Sequence, residues 1–258
     1  MARRTKVYEG SAKILYEGPE PGTLIQYFKD DGAPGRSGGS VTTITGATES
    51  RGVLNNRLSE FFMSGLNAIG VPTHFIRRLT MREQLVRMVE MVPLEIMVRN
   101  FAAGGLSQRL GIPEGVALPR PIVEYYYKDD KLGTPLVSEE HIVAFNWANQ
   151  QDLDDIVALA LRVNDFLSGV MLGAGIRLVD FRIEVGRIWE GDFMRLILAD
   201  EITPDTCRLW DLRGLDGPEA PGMPREPGPL ADPHTELARR LGVLPAGVTH
   251  SPKPTHIN

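Results

Sequence analysis

The chain has one cysteine, Cys207, in 258 residues, which excludes an internal disulfide framework and suits a reducing compartment, so the expected location is the cytoplasm. It also lacks an uncharged apolar run of the ~20 residues a membrane helix needs. The most apolar stretch, beginning at Val157, is broken by Arg162, Asn164, Asp165 and several glycines, and no membrane span is expected. The amino-terminal MARRTKVYEGSAK has the charge of a secretory n-region, but no apolar h-region follows it. Basic tracts are missing too: the formal net charge is -5 and Lys and Arg are scattered, so nucleic acid is not an expected partner. There is no GxxxxGK[ST] loop, no GxSxG elbow and no paired-histidine spacing. His74, His141, His234, His250 and His256 are dispersed, which leaves P-loop, serine-hydrolase and zinc chemistry unsupported.

What is present is an ordinary globular composition, 42% hydrophobic and 24% charged, long enough for two lobes with a cleft between them. Residues 6–29 alternate as strands around the turn signal PEPG and predict an antiparallel meander. DGAPGRSGGS, residues 31–40, reads as a mobile loop, either a solvated linker or a Gly-rich phosphate cradle. Val53, Leu54, Leu58, Phe61, Phe62, Leu66 and Ile69 recur at helical spacing over 51–69, with Gly70 and Pro72 as the stop. Strands are predicted near 73–79, 84–91 and 94–99, then a glycine-broken turn at AAGG entering a short helix, a loop at PEGVALPRP and a short strand at EYYYK. A helix over 152–172 shows a wide apolar face. Residues 177–200 read as a hairpin. From about 212 the chain becomes rich in Pro and Gly, predicting a disordered or wrapping tail, with one recognisable helix at HTELARRLG.

The first hairpin strand, LVDFRIEVG, puts Asp180, Arg182 and Glu184 on one face. That row is either a solvated salt-bridge ladder or a site for a metal and an anion. With the turn centred near Gly191, Glu184 falls opposite Leu198 and Asp200 becomes its diagonal neighbour. Two carboxylates plus substrate phosphates would satisfy Mg2+. LADEITPDTCRLWD then gathers Asp200, Glu201, Asp205, Arg208 and Asp211 beside the strand end. Lys13, after the turn YEGSA, is either an edge-strand surface lysine or a point charge for nucleotide phosphates. Arg99 beside AAGG is either paired with Glu95 or free to grip a phosphate or carboxylate.

In this order and spacing, EGSAKILYEG, FKDD, GVLNNRLSEFF, VPLEIMVRNFAAGG, YYYKDDKLGTP, LVDFRIEVG and LADEITPDTCRLWD resemble the phosphoribosylaminoimidazole-succinocarboxamide synthase (SAICAR synthetase) family over roughly residues 5–211. The resemblance implies an α+β fold of two lobes. The first is a β-rich nucleotide-binding lobe over 1–91, the second an ATP-grasp-like lobe over 92–258, with ATP between them. It implies an ATP-dependent carboxylate-amine ligase of purine biosynthesis. ATP phosphorylates the carboxylate of carboxyaminoimidazole ribonucleotide, and the amine of aspartate attacks the acyl phosphate. ATP and Mg2+ are the only cofactors implied, small molecules the partners, and a homo-oligomer the assembly. Lys13, Arg182, Glu184 and Asp200 take the catalytic positions, with Glu184 and Asp200 as the metal ligands. Gly10, Ser11, Ala12, Lys13, Met91 and Lys128 fall on the ATP side. Arg99, Gly105, Thr134, Arg182 and Arg208 fall on the substrate side, while Asp180 orients its neighbours.

The chain departs from the family pattern at several of these positions. Ser11 replaces a lysine, Arg51 a lysine, Gly105 a serine, Thr134 an acid and Arg182 a lysine, and the usual basic segment after RLWD is absent. Each lost charge-assisted contact typically removes ~1.5 to 3 kcal/mol. Three readings therefore stand: the standard purine reaction, a paralogue ligating another heteroaromatic carboxylate and amine, or a nucleotide-binding protein without catalysis.

Overall fold

The structure is a computed structural model that describes residues 4–30, 50–213 and 228–244. The readings at 31–40 and over 214–227 of the tail lie outside the described residues. The predicted meander is present as β1 (Lys6–Glu9), β2 (Lys13–Glu17) and β3 (Thr23–Phe28), paired antiparallel. With β4 (Phe75–Arg78) and β5 (Glu83–Arg87) these strands form a five-stranded sheet in the order β1-β2-β3-β5-β4. α1 (Arg51–Ala68) ends one residue before Ile69, which is exposed rather than part of the predicted apolar face.

A second sheet contains β6 (Glu90–Met91), β7 (Leu94–Phe101), β8 (Ala117–Tyr127), β9 (Leu136–Val137), β10 (Ile176–Glu190), β11 (Phe193–Ala199), β12 (Cys207–Asp211) and β13 (Gly228–Pro229). Its order is β13-β12-β10-β7-β8-β9, with β11 and β6 also paired to β10. The fold is α+β. The predicted PEGVALPRP loop is partly strand: β8 begins at Ala117, opposite Phe101. Pro119 and Pro121 fall where the register shifts between Arg99 and Phe101, a bulge at which a residue without an N–H costs the ladder little.

α2 (Gly105–Leu110) and α3 (Glu139–Ala144) are short. α4 (Gln150–Gly173) starts two residues before the predicted boundary, because Asn149 caps it and Asp152 returns a bond to the Asn149 N–H. α4 is long and apolar enough to cross a membrane by length and composition alone. Its Ile156, Ala160, Val163, Leu167 and Met171 are instead buried in the protein's own core, and Asp152 pairs with Arg187 at 2.8 Å. The same core takes in Leu58, Phe62 and Leu66 of α1, and Ile96, Phe181 and Ile183 of the second sheet. α5 (Pro233–Arg240) adds the fully buried Leu237 to it. The described end of the tail is therefore wrapped onto the fold: β13 pairs with β12, and Leu230 is buried.

Candidate active site

Three strands of the second sheet build the site. Asp180 pairs with Arg99 and Arg182 with Met97 across β10 and β7, while Met97 faces Glu124 and Glu95 faces Tyr126 across β7 and β8. Because side chains alternate along each strand, the predicted row Asp180, Arg182, Glu184 shares its face with Glu95, Arg99, Glu124 and Tyr126. Arg99 is the centre of this face. Its Nε donates to Glu124 at 2.6 Å, Nη1 to Asp180 at 3.0 Å and Nη2 to the Tyr126 hydroxyl at 3.0 Å. Glu124 also accepts from Arg109, and Asp180 lies 3.5 Å from Arg208 Nε. Burial pushes the Asp180 carboxyl up, against the pull of Arg208 and Arg99. Deleting Arg99 from so buried a set of charges costs on the order of 3 to 5 kcal/mol. The pairing of Arg99 with Glu95 is not found: Arg182 takes Glu95, at 3.5 Å. Glu95 and Arg99, four residues apart on β7, share a face, but the cross-strand neighbours are nearer.

This face opens into a cavity of about 690 Å3. Arg99, Gly105, Thr134, Arg182 and Arg208, separated by more than a hundred residues in sequence, all line it. Thr134 stands at φ 52, a left-handed conformation uncommon for a β-branched residue. Two groups of lining residues were not anticipated. One is Arg109, whose neighbourhood in SQRL gave no signal. The other is Pro229, Leu230, Ala231 and Pro233 of the tail, which close one side. Asp205, on the loop before β12, ties that side together: it accepts from Arg51 and from Asn55 at 2.9 Å, and His234 Nε2 lies 3.3 Å away. Burial opposes its ionisation, yet His234 and Arg51 hold its carboxyl well below the usual carboxylate range.

Of the remaining predicted residues, Lys13 pairs with Asp200 and Lys128 with Glu184. The β10–β11 register places Glu184 opposite Ala199 and Val185 opposite Leu198. The expected pairing with Leu198 is thus off by one, because the two-residue turn is Gly191 and Asp192. In a regular strand that shift would send Asp200 to the far face. Asp200 instead leaves the strand at φ 61. Its carboxylate pairs with Lys13, which also pairs with Glu201, and its carbonyl oxygen accepts from His74 Nε2 at 2.8 Å. Glu184 holds Lys128 through both oxygens, at 2.6 and 2.5 Å. Among the described residues no group of three or more His, Cys, Asp or Glu is placed to hold a metal. Gly10, Ser11 and Ala12 form the turn before Lys13, where Gly10 N donates to the Lys13 oxygen at 2.9 Å and Ala12 accepts from Lys29 N at 2.8 Å. Met91 lies on β6, opposite Gly186 of β10. Glu201 and His74 were not singled out: Glu201 carries a weak signal as one of several acids on one loop, His74 none.

A cavity walled by four arginines and three carboxylates, beside lysine-carboxylate pairs at a strand end, defines an enzyme that works on small anionic molecules. The family model for SAICAR synthetase matches residues 6–225, and the chain belongs to that family of ligases. It is 68% identical over 258 residues, the whole of both chains, to the phosphoribosylaminoimidazole-succinocarboxamide synthase of Dinoroseobacter shibae. Among solved structures it resembles the same synthase from Ehrlichia chaffeensis, with TM-score 0.79 and 38% identity over 93% of this chain and 99% of the other. It also resembles a SAICAR synthetase in complex with ADP, with TM-score 0.74 and 35% identity over 91% and 96% of the two chains. The full-length identity spans the rewritten tail, and the paralogue reading is not favoured.

Proposed function

We propose that the chain joins aspartate to carboxyaminoimidazole ribonucleotide at the expense of ATP, by way of an acyl phosphate, to give the succinocarboxamide product. The observation that carries this reading is the sorting of the residues. All five substrate-side positions meet in one cavity, whereas Lys13 pairs with Asp200 and Lys128 with Glu184 outside its lining. In-line phosphoryl transfer is mainly positioning and neutralisation. Lys13 and Lys128 supply positive charge for the ATP phosphates, exchanging their present carboxylate partners for phosphate oxygens. The turn before Lys13 brings the Ser11 and Ala12 backbone N–H groups to the same ligand, that of Gly10 being bonded to the Lys13 oxygen, and Met91 on β6 packs on the adenine. Arg182 neutralises the substrate carboxylate, and Arg208, beside the Asp180 that Arg99 holds, serves the ribonucleotide phosphate.

The donor set fits Mg2+. Glu184 and Asp200 are hard oxygen donors that pair here with Lys128 and Lys13, and Asp200 directly follows Ala199, the cross-strand partner of Glu184. Two carboxylates with phosphate oxygens and water complete such a site. Mg2+ bound there would neutralise charge on the transferred phosphoryl group. ATP would lie where a lobe of residues 1–91 meets one of 92–258, the place at which β6 joins β10. We assign the reaction to the cytoplasm, as a lone half-buried cysteine suits, and to a homo-oligomer.

The test is to incubate the purified chain with ATP, Mg2+, carboxyaminoimidazole ribonucleotide and aspartate and to follow ADP and the succinocarboxamide by mass spectrometry. Stoichiometric formation of both is expected. ADP released only with another acid, or ATP bound without turnover, would overturn the reading.

A further inference from the structure

The ion pairs of the cavity wall form one alternating chain, Arg109–Glu124–Arg99–Asp180–Arg208. Its middle and its ends differ. The Arg99 side chain is 5% exposed, and each of its three nitrogens already donates to a protein oxygen. The terminal guanidinium groups are more exposed: the Arg109 side chain, which donates to Glu124 and at 3.5 Å to the Tyr126 hydroxyl, is 37% exposed and that of Arg208 40%. Both line the cavity, and both come to the same two glycines. A Cβ on Gly104 would lie 2.7 Å from Arg208 Nη2, and one on Gly105 would lie 3.5 Å from Arg109 Nη1. A side chain at 104 would push the Arg208 head aside, and the backbone there is at φ 54, which favours glycine. At 105 a Cβ alone would fit, but any longer side chain would reach towards the Arg109 head.

We propose that Arg109 is a substrate-binding residue: with Arg208 it forms a two-armed clamp over Gly104 and Gly105 for the anionic phosphate end of the substrate, while the buried Arg99 is a positioning residue. Glu124 and Asp180 each hold one arm by one side and are themselves held by Arg99, so the arms reach the ligand already oriented and little side-chain freedom is lost on binding. The absence of a side chain at Gly105 leaves the guanidinium of Arg109 to supply the donors there. This rests on the function proposed above in that the anion is taken to be the ribonucleotide phosphate.

Steady-state kinetics of Arg109→Gln and Arg109→Lys in the full chain test it. For Arg109→Gln the KM for the ribonucleotide is expected to rise about ten- to a hundred-fold, as for loss of a charge-assisted bond. The KM for ATP should stay within about twofold, and Arg109→Lys should recover part of the loss. Inorganic phosphate should inhibit competitively with the ribonucleotide, and more weakly in Arg109→Gln. An unchanged ribonucleotide KM, or equal rises in both KM values with a lowered melting temperature, would overturn the clamp. If the wild type makes no product, the functional reading fails and the clamp is read from thermal melts in inorganic phosphate. A phosphate-dependent rise that Arg109→Gln loses supports it, whereas equal rises, or none in the wild type, overturn it.

Discussion

The His74 ring is buried against the strand end that carries Asp200, and it donates to the Asp200 carbonyl. Burial, and then the charge of Lys13, lower its pKa from 6.5 to about 3. Between those values the unfolded chain binds a proton that the folded chain does not. The contribution to stability is therefore complete above about pH 6.5 and is lost as pH falls towards 3, on the order of 1.4 kcal/mol per pH unit. Urea denaturation at pH 7, 6, 5 and 4.5 should show this slope, and His74→Gln, which keeps a donor but does not titrate, should flatten it; equal slopes would exclude the mechanism. A histidine of this kind has no signature in sequence, since its pKa is set by burial in the fold and by the charge of Lys13, far away along the chain. That Arg99 and Arg208 belong to one site was legible from the matching motifs, and both line the cavity, but not how differently they are buried, which depends on cross-strand partners.

Among the elements, β10 decides most of the site, since β7 and β12 pair along its first half and β11 and β6 along its second. Gly186 is where β6 approaches it: a Cβ there would lie 2.7 Å from Val89 Cβ and 3.3 Å from the Glu90 oxygen. Valine is stiff at χ1 and cannot swing away. Gly186→Ala should therefore cost about 1 to 3 kcal/mol, as overpacking does, and raise the KM for ATP because Met91 sits on the displaced strand. Chemical denaturation of Gly186→Ala, Val89→Ala and the double variant should give a favourable coupling between the two sites; strict additivity would refute the contact. Helices α1 and α4 and the 177–200 hairpin were readable from periodicity and turn residues, because those signals are local. The register was not: the parity of one short turn sets which side chains face each other, and a one-residue error reverses every one.

For the molecule as a whole, the carboxy-terminal segment closes the cavity from a distance in sequence, and Arg240 anchors it. This arginine, 3% exposed, donates to both oxygens of Asp211 at 2.9 and 2.7 Å and to the Gly175 oxygen at 3.0 Å. Asp211 is partly exposed, so the full cost of a broken buried pair does not apply, and Arg240→Ala should destabilise by about 2 kcal/mol. Hydrogen exchange over 228–244 should quicken, and the KM for the ribonucleotide should rise because Pro229, Leu230 and Ala231 line the cavity; unchanged protection there would rule the anchor out. By itself the sequence determined the α+β class, the helices and hairpin, the family and five of the cavity's lining residues, Arg99, Gly105, Thr134, Arg182 and Arg208, since composition, periodicity and motif order are properties of neighbours along a chain. Only the tertiary structure decided that Arg99 is walled in while Arg109 and Arg208 are more exposed, and that Asp200 turns back towards Lys13. It also decided that the Pro/Gly-rich tail, read as disordered or wrapping, ends as a wall of the site. Each of these depends on register, burial and charge pairing between segments that the sequence keeps far apart.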